Sequence, residues 1–152
     1  MPPAAPTSPD PPPPRRHLSP VPDERAARRA VVVERLRSRI EAGEVAPFDG
    51  MVWLAHLDAD WRPRLFSRVA DPVTDLDELY LLDVLSTLHA IGLPGVTVAI
   101  WRASGLPAAV DRRLARDLAR RLGGSGGDDG TVLDAVLVVG RGGHRVVRPS
   151  RR

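Results

Sequence analysis

The pattern that most constrains the fold is a set of short apolar runs, each bounded by turn residues. Residues 51–58 are apolar at both odd and even positions, which is typical of a strand covered on both faces. Residues 64–70 follow after a short turn, so the two segments are predicted to form a hairpin. Residues 96–101 and 132–139 predict two more strands, and a glycine-rich turn leads to a last strand near residues 145–147.

Three segments with the helical period lie before and between these strands. The first is predicted to begin at an Asp23 N-cap and to end at Gly43, and the second to begin with a capping box of Asp75 and Glu78. The third ends before Gly123. The apolar faces expected to pack are Ala26, Ala30, Val33, Leu36 and Ile40 in the first helix, Leu76, Leu79, Tyr80, Leu85 and Leu88 in the second, and Val110, Leu114, Leu118 and Leu122 in the third.

The predicted order of elements is α-β-β-α-β-α-β-β, which indicates the α/β (α+β) class with helices packed on a mixed sheet. A single domain is expected over residues 23–148, with the N-terminal helix at 23–43 and the core at 45–148. Residues 1–22 hold 10 of the 16 prolines and predict a disordered arm, either solvated or a ligand for a partner's aromatic groove. Residues 123–130 predict a flexible linker and residues 149–152 a basic tail.

Composition excludes several classes of site. The chain has no cysteine, so disulfides and thiolate metal sites are absent. No apolar run approaches the length of a membrane span of about 20 residues, and the N-terminus lacks a signal-peptide pattern. A cytoplasmic protein is therefore expected. All of its basic residues other than histidine are arginines, which indicates a GC-rich bacterial genome and weakens any argument that arginine was selected for its chemistry.

The basic character is unevenly distributed along the chain. The sequence pI is about 10.7, yet residues 23–140 carry a net charge of −3. Residues 71–101 are net −5, whereas residues 102–121, within which the third helix lies, are net +4. The last 12 residues add five arginines: Arg141, Arg145, Arg148, Arg151 and Arg152. These segments are either solvated helix faces and a solvated tail, or complementary patches for a partner or for phosphates.

The order of motifs in the second half of the chain suggests a family. An apolar strand runs into Arg-Ala-Ser-Gly at residues 102–105, a helix with an early Asp111 follows, and residues 132–140 read Val-Leu-Asp-Ala-Val-Leu-Val-Val-Gly. This order resembles the C-terminal part of the RadC-type JAB (MPN) domain, with its His-x-His-Pro-Ser-Gly loop and its Leu-Asp-His-Leu-Ile-Ile-Gly strand. The segment Leu-Ala-His-Leu-Asp at 54–58 resembles the family's first hairpin, so the resemblance spans roughly residues 45–150.

The resemblance implies a metal site that this chain has lost. The family binds its metal through the two loop histidines and the helix aspartate. With Ser104 and Gly105 aligned, the histidine positions are held by Ile100 and Arg102, which cannot ligate zinc, so Asp111 alone remains. No residue clearly matches the family's general-base glutamate, and Asp49 is the nearest acid. The expectation is a degenerate member with no metal, no cofactor and no catalytic residues.

Other candidate residues do not form a recognisable centre. His56 lies within a strand and is predicted to be a packed core histidine, His89 lies near a helix end, and His144 lies in a turn. No serine lies in a nucleophile-elbow pattern, and the glycine-rich run at 123–127 follows a helix and lacks the lysine of a phosphate loop.

Two functions follow as hypotheses. The first is a non-catalytic interaction domain that contacts a protein, or a second copy of itself. The second is nucleic-acid binding through the basic C-terminal end and the arginine face of the third helix. An enzyme with an unrecognised site is a third and weaker alternative. The residues predicted to bind a partner or an anion are Arg102, Ser104, Gly105, Arg112, Arg116 and Arg120.

Overall fold

A computed structural model describes residues 21–122 and 131–148. The helices are α1 (Val21–Glu41), α2 (Glu78–Ala90) and α3 (Ala109–Leu122), and a short 3₁₀ helix spans Val73–Asp75. The strands are β1 (Val52–Leu57), β2 (Pro63–Arg68), β3 (Gly95–Trp101), β4 (Val132–Val139) and β5 (His144–Val146). The predicted class and order of elements are confirmed. Most of the proline-rich arm, the glycine-rich linker and the basic tail lie outside the described residues.

The five strands form one mixed sheet in the order β2-β1-β3-β4-β5. The predicted hairpin pairs β1 with β2 in antiparallel fashion, β1 also pairs antiparallel with β3, and β3 pairs parallel with β4. A parallel pair needs a crossover connection, and α3 supplies it. Every residue of β1 and of β3 is buried, because helices cover both faces of the sheet.

The two faces of the sheet have separate cores. Alternate residues of β1 and β3, such as Val52, Leu54 and Val98, pack with buried residues of α2 and α3. The intervening residues, including Trp53 and Ala99, pack with α1. The sheet is therefore the middle layer between α1 on one side and α2 with α3 on the other. No helix in the described part of the chain is long and apolar enough to cross a bilayer.

The predicted N-cap and buried face of the first helix were wrong in its N-terminal half. α1 already includes Asp23, which is therefore not its N-cap, and Ala26 and Ala30 are exposed. The buried positions are Val32, Val33 and Leu36, and Gly43 adopts a positive φ of 74° just beyond the helix. A stripe of alanines has too little apolar surface to fix the rotation of a helix, so the larger valines and leucine determine it.

The predicted capping box of the second helix was also wrong. Asp77 is the N-cap, and its carboxylate accepts hydrogen bonds from the backbone N–H groups of Leu79 and Tyr80. Asp75 ends the preceding 3₁₀ turn instead. With this start, Leu81 and Leu85 face the sheet, whereas Leu79 and Tyr80, predicted to pack, are 70% and 62% exposed. The apolar residues of α2 surround the helix, so one side of it remains apolar in solvent.

Candidate functional site

The loop that follows β3 holds a buried ion pair at the position where the resemblance places a metal. Arg102 comes directly after Trp101, and its side chain turns inward toward the first turn of α3. Its Nε donates to Asp111 Oδ2 at 2.9 Å and its Nη2 donates to Asp111 Oδ1 at 2.6 Å. Asp111 is fully buried and Arg102 is 8% exposed. This two-bond geometry is the strongest form of a guanidinium–carboxylate pair.

A second carboxylate completes the cluster from the segment before β1. Arg102 Nη1 donates to Asp49 Oδ2 at 2.9 Å, and the backbone N–H of Ala103 donates to Asp49 Oδ1 at 3.2 Å. The backbone N–H of Ala108 donates to Asp111 Oδ2 at 2.8 Å. The guanidinium therefore links three separate parts of the chain: the start of β1, the end of β3 and the start of α3. We call Arg102, Asp49 and Asp111 the arginine cluster.

The electrostatics of this cluster fix the charge of the arginine. The hydrogen bond with Asp111 is the main cause that raises the pKa of Arg102, and the charge of Asp111 and the bond with Asp49 act in the same direction. Burial opposes the shift. A buried guanidinium is stable only when carboxylates compensate its desolvation, so the two aspartates and the arginine depend on one another.

The residues at this position do not fit a zinc ion. Ile100, at the first histidine position of the resembled family, is fully buried in the apolar core. Arg102, at the second, directs its positive charge at the carboxylates of Asp49 and Asp111. Across the described residues, no three side chains of His, Asp or Glu converge in a way that could hold a metal. The guanidinium supplies a fixed positive charge between Asp49 and Asp111.

Ser104 and Gly105 form the turn between the arginine cluster and α3. Ser104 Oγ accepts a hydrogen bond from the backbone N–H of Leu106 at 3.2 Å, and Gly105 adopts a positive φ of 71°. Gly140, just after β4, lies against this turn: a Cβ added to Gly140 would stand 2.7 Å from Gly105 Cα. The carbonyl of Gly140 also accepts a hydrogen bond from Arg37 of α1 at 3.0 Å.

The same turn lines a cleft of about 340 Å³ with the segment that enters β5. Ser104 and Gly105 form one wall, and the exposed side chains of Arg141, His144 and Arg145 stand around the other. The structure thus brings two of the predicted anion-binding residues next to the basic C-terminal end. Arg102 is not among the residues that line the cleft, because its guanidinium points into the protein toward Asp49 and Asp111, so its predicted role in binding a partner or an anion stays a prediction.

The predicted arginine face of α3 is on the outside of the molecule. Arg112 and Arg120 are exposed and Arg116 is half-buried, whereas Leu114 and Leu118 face the sheet. Asp117 partly neutralises this face, since it pairs with Arg120 at 2.8 Å and with Arg116 at 3.4 Å. The hydrogen bond from Arg120 is the main cause that lowers the pKa of Asp117. None of these arginines lines the cleft beside Ser104.

His56 is a buried core residue, as predicted. It is fully buried in β1, and its Nε2 lies 2.8 Å from Ser67 Oγ of β2. Desolvation by burial lowers the pKa of His56 to about 4, so the imidazole is neutral at physiological pH. Because the unfolded chain binds this proton more tightly, His56 lowers the stability of the fold as pH falls from about 6.5 toward 4.

Several contacts that hold these parts together could not be predicted from local pattern. Arg29 of α1 pairs with Asp134 of β4 at 3.4 Å, and Thr97 Oγ1 donates to the same carboxylate at 3.0 Å. The bond between Asp49 and Arg102 is another such contact. The position of Asp49 directly before a buried strand was the one available signal, because that is where polar side chains reach the end of a sheet.

We compared the chain with known proteins. No protein-family model matches it, and no curated protein matches it either.

Proposed function

We propose that this chain is a non-catalytic protein-interaction domain that resembles a RadC-like JAB domain without its metal. The observation that carries the proposal is the arginine cluster. Arg102 stands at a metal-ligand position of the resembled family, and its guanidinium bonds to Asp111, the one ligand position that is retained. Because the guanidinium of Arg102 already links these segments, no metal is needed to hold them together. The role of the loop is therefore structural.

The surface of the domain supports the interaction part of the proposal. Leu79 and Tyr80 are adjacent residues near the start of α2 and are 70% and 62% exposed. Exposed apolar side chains that lie close together are typical of surfaces that bind other proteins. The segment 71–101 that contains them is net acidic and α3 is basic, and the two helices meet where Arg121 pairs with Glu78 at 3.5 Å, so the domain presents adjoining surfaces of opposite charge. Such surfaces steer and orient a partner.

The response of the wild-type protein to zinc tests this proposal. Metal binding to the native state raises Tm, because a ligand that binds only the folded protein stabilises it. We expect the same Tm in the presence of Zn²⁺ and of a chelator, measured by differential scanning calorimetry. A Tm that rises with stoichiometric Zn²⁺ would overturn the proposal, since it would place a metal site in a chain that we propose to have none.

A second candidate function is the binding of nucleic-acid phosphates. The observation that favours it is the cleft beside Ser104 and Gly105, where Arg141, His144 and Arg145 lie together. Arginine side chains and glycine-rich backbone suit phosphate oxygens. Single-strand binding usually relies on bases that stack on exposed aromatic side chains. Trp53 and Trp101 are buried and cannot provide such stacking.

A salt series with labelled DNA tests this second candidate. If the cleft binds phosphates, replacing both Arg141 and Arg145 by Ala should reduce the slope of log K against log[salt] by about 0.9 for each lost contact. The double variant Arg112→Ala/Arg120→Ala measures the contribution of α3, and Arg25→Ala on α1 is the control. Absence of binding at low salt would rule the cleft out as a phosphate site. An equal reduction of the salt slope in the Arg25→Ala control would do so as well.

A further inference from the structure

One edge of the sheet adjoins an apolar groove that nothing in the described part of the chain fills. β2 is the last strand at its end of the sheet. The backbone N–H of Val69, just after β2, donates a hydrogen bond to the backbone carbonyl of Val52 in β1 at 2.9 Å. Because inward and outward backbone groups alternate along an antiparallel strand, the N–H and C=O groups of Phe66 and Arg68 point away from β1. They offer hydrogen bonds to one more strand.

The groove lies between this edge and α2. It has a volume of about 460 Å³, and the residues that line it on the strand side include Ser67, Arg68, Val69 and Asp71. On the helix side it is lined by Leu76, Asp77, Tyr80, Leu81 and Val84. The floor is therefore apolar, and two carboxylates stand at the rim. A strand added beside β2 would direct every second side chain into this groove.

The opposite side of the same edge has the opposite charge. Phe66 points toward α1, where the guanidinium groups of Arg35 and Arg39 stack at 5.2 and 5.8 Å from its ring centre. Arg64 and Arg68 alternate with Leu65 and Ser67 and so lie on this side of β2 as well. Arg64 already pairs with Asp58 at 2.6 Å, and Arg68 also lines the rim of the groove. The remaining side chains of an added strand would therefore lie beside Arg35, Arg39 and Arg68.

These charges argue against a second copy of the chain as the added strand. Antiparallel pairing of β2 with itself about Phe66 would place Arg64 of one copy opposite Arg68 of the other. Like charges directly opposite one another destabilise a strand pair. The other edge strand, β5, has only three residues.

We propose that the edge of β2 and the groove under α2 bind an extended segment of a partner protein as a sixth strand. Its side chains alternate: apolar residues enter the groove, acidic residues face the arginines on the α1 side, and a basic residue meets Asp71. This inference rests on the proposed interaction function and specifies its partner. Main-chain hydrogen bonds supply affinity in such strand addition, and the alternating pockets supply specificity.

Fluorescence anisotropy with a labelled peptide tests the inference. The probe alternates Leu and Glu and ends in Arg, and a peptide of the same composition with its Leu and Glu residues in separate blocks is the comparison. We expect the alternating peptide to bind and the block peptide to bind at least about tenfold more weakly. Equal binding of the two peptides, or no binding of the alternating peptide, would overturn the inference.

Two exposed residues of α2 provide a matched pair of variants. Tyr80→Asp changes a residue that lines the groove, and Ser86→Asp adds the same charge to an exposed residue of the same helix that does not. Tyr80→Asp should weaken peptide binding by about tenfold, as loss of an aromatic anchor does, while Ser86→Asp leaves it unchanged. The same loss in both variants would contradict binding in the groove.

Amide hydrogen exchange distinguishes strand addition from other modes of binding. The amides of Phe66 and Arg68 should exchange more slowly when the peptide is bound, because they then donate to its backbone. Peptide binding without this protection would overturn strand addition. These results are independent of the zinc experiment: binding of Zn²⁺ to the wild-type protein would contradict the non-catalytic proposal and leave the peptide measurements unaffected.

Discussion

Replacing Arg102 by Ala should lower the free energy of unfolding by about 3–5 kcal/mol, because the substitution leaves a buried carboxylate without its counter-ion. Asp111 is fully buried and receives two of its three hydrogen bonds from the guanidinium. Asp49 loses one bond but is 61% exposed at its side chain, so solvent compensates it. Denaturant unfolding measures the effect.

A control and a double variant separate the ion pair from general damage. Arg112→Ala removes an exposed arginine from α3 and should change the stability by less than about 0.5 kcal/mol. Arg102→Met combined with Asp111→Leu should recover a large part of the loss, because an apolar pair of similar volume avoids the desolvation of an unpaired charge. A loss below about 1 kcal/mol in Arg102→Ala would show that the arginine cluster does not hold the three segments together.

Replacing Gly140 by Ala should destabilise the fold by about 1–3 kcal/mol, the usual cost of forcing an extra methyl group into a close-packed site. The added Cβ would meet three backbone atoms: Gly105 Cα at 2.7 Å, Gly105 N at 3.1 Å and Arg102 O at 3.2 Å. Backbone cannot rotate away as a side chain can, so β4 and the turn after Arg102 must move apart. The movement also disturbs the arginine cluster, because the carbonyl oxygen of Arg102 is one of the atoms that must move.

Gly142 is the matched control for this prediction. It lies in the turn before β5, and an added Cβ would have no neighbour within 4 Å. Gly142→Ala should leave the stability within about 0.5 kcal/mol of the wild type. Thermal melting of the two variants side by side gives the comparison. Equal Tm values for Gly140→Ala and Gly142→Ala would contradict the close contact between Gly140 and Gly105.

The sheet could be predicted from the sequence because each central strand carries its own signal. Continuous apolar runs identify β1, β3 and β4 regardless of what packs on them, and the short link before Pro63 identifies the hairpin. The amphipathic helix α3 was equally clear: its predicted residues Leu114, Leu118 and Leu122 are all buried. Strong periodicity in a single segment is enough to fix an element and its inner face.

The rotation of α2 and the partners of Arg102 could not be predicted in the same way. α2 is apolar around its whole circumference, so the sequence does not identify the residues that face the sheet; Asp77 and the packing of Leu81 and Leu85 determine this. An arginine between a strand and a turn is usually solvated. The carboxylates that bury Arg102 lie 9 and 53 positions away in the chain, and only the tertiary fold brings them together.

A zinc titration of Arg102→His, beside the wild type and Arg102→Ala, tests most directly whether the guanidinium replaces a metal. The introduced imidazole would face Asp49 and Asp111 and supply, with them, a set of one nitrogen and two carboxylate ligands. We predict that calorimetry detects one Zn²⁺ per chain in Arg102→His, with a raised Tm, and none in the other two proteins. A folded Arg102→His protein that binds no Zn²⁺, or a wild type that does, would contradict the account.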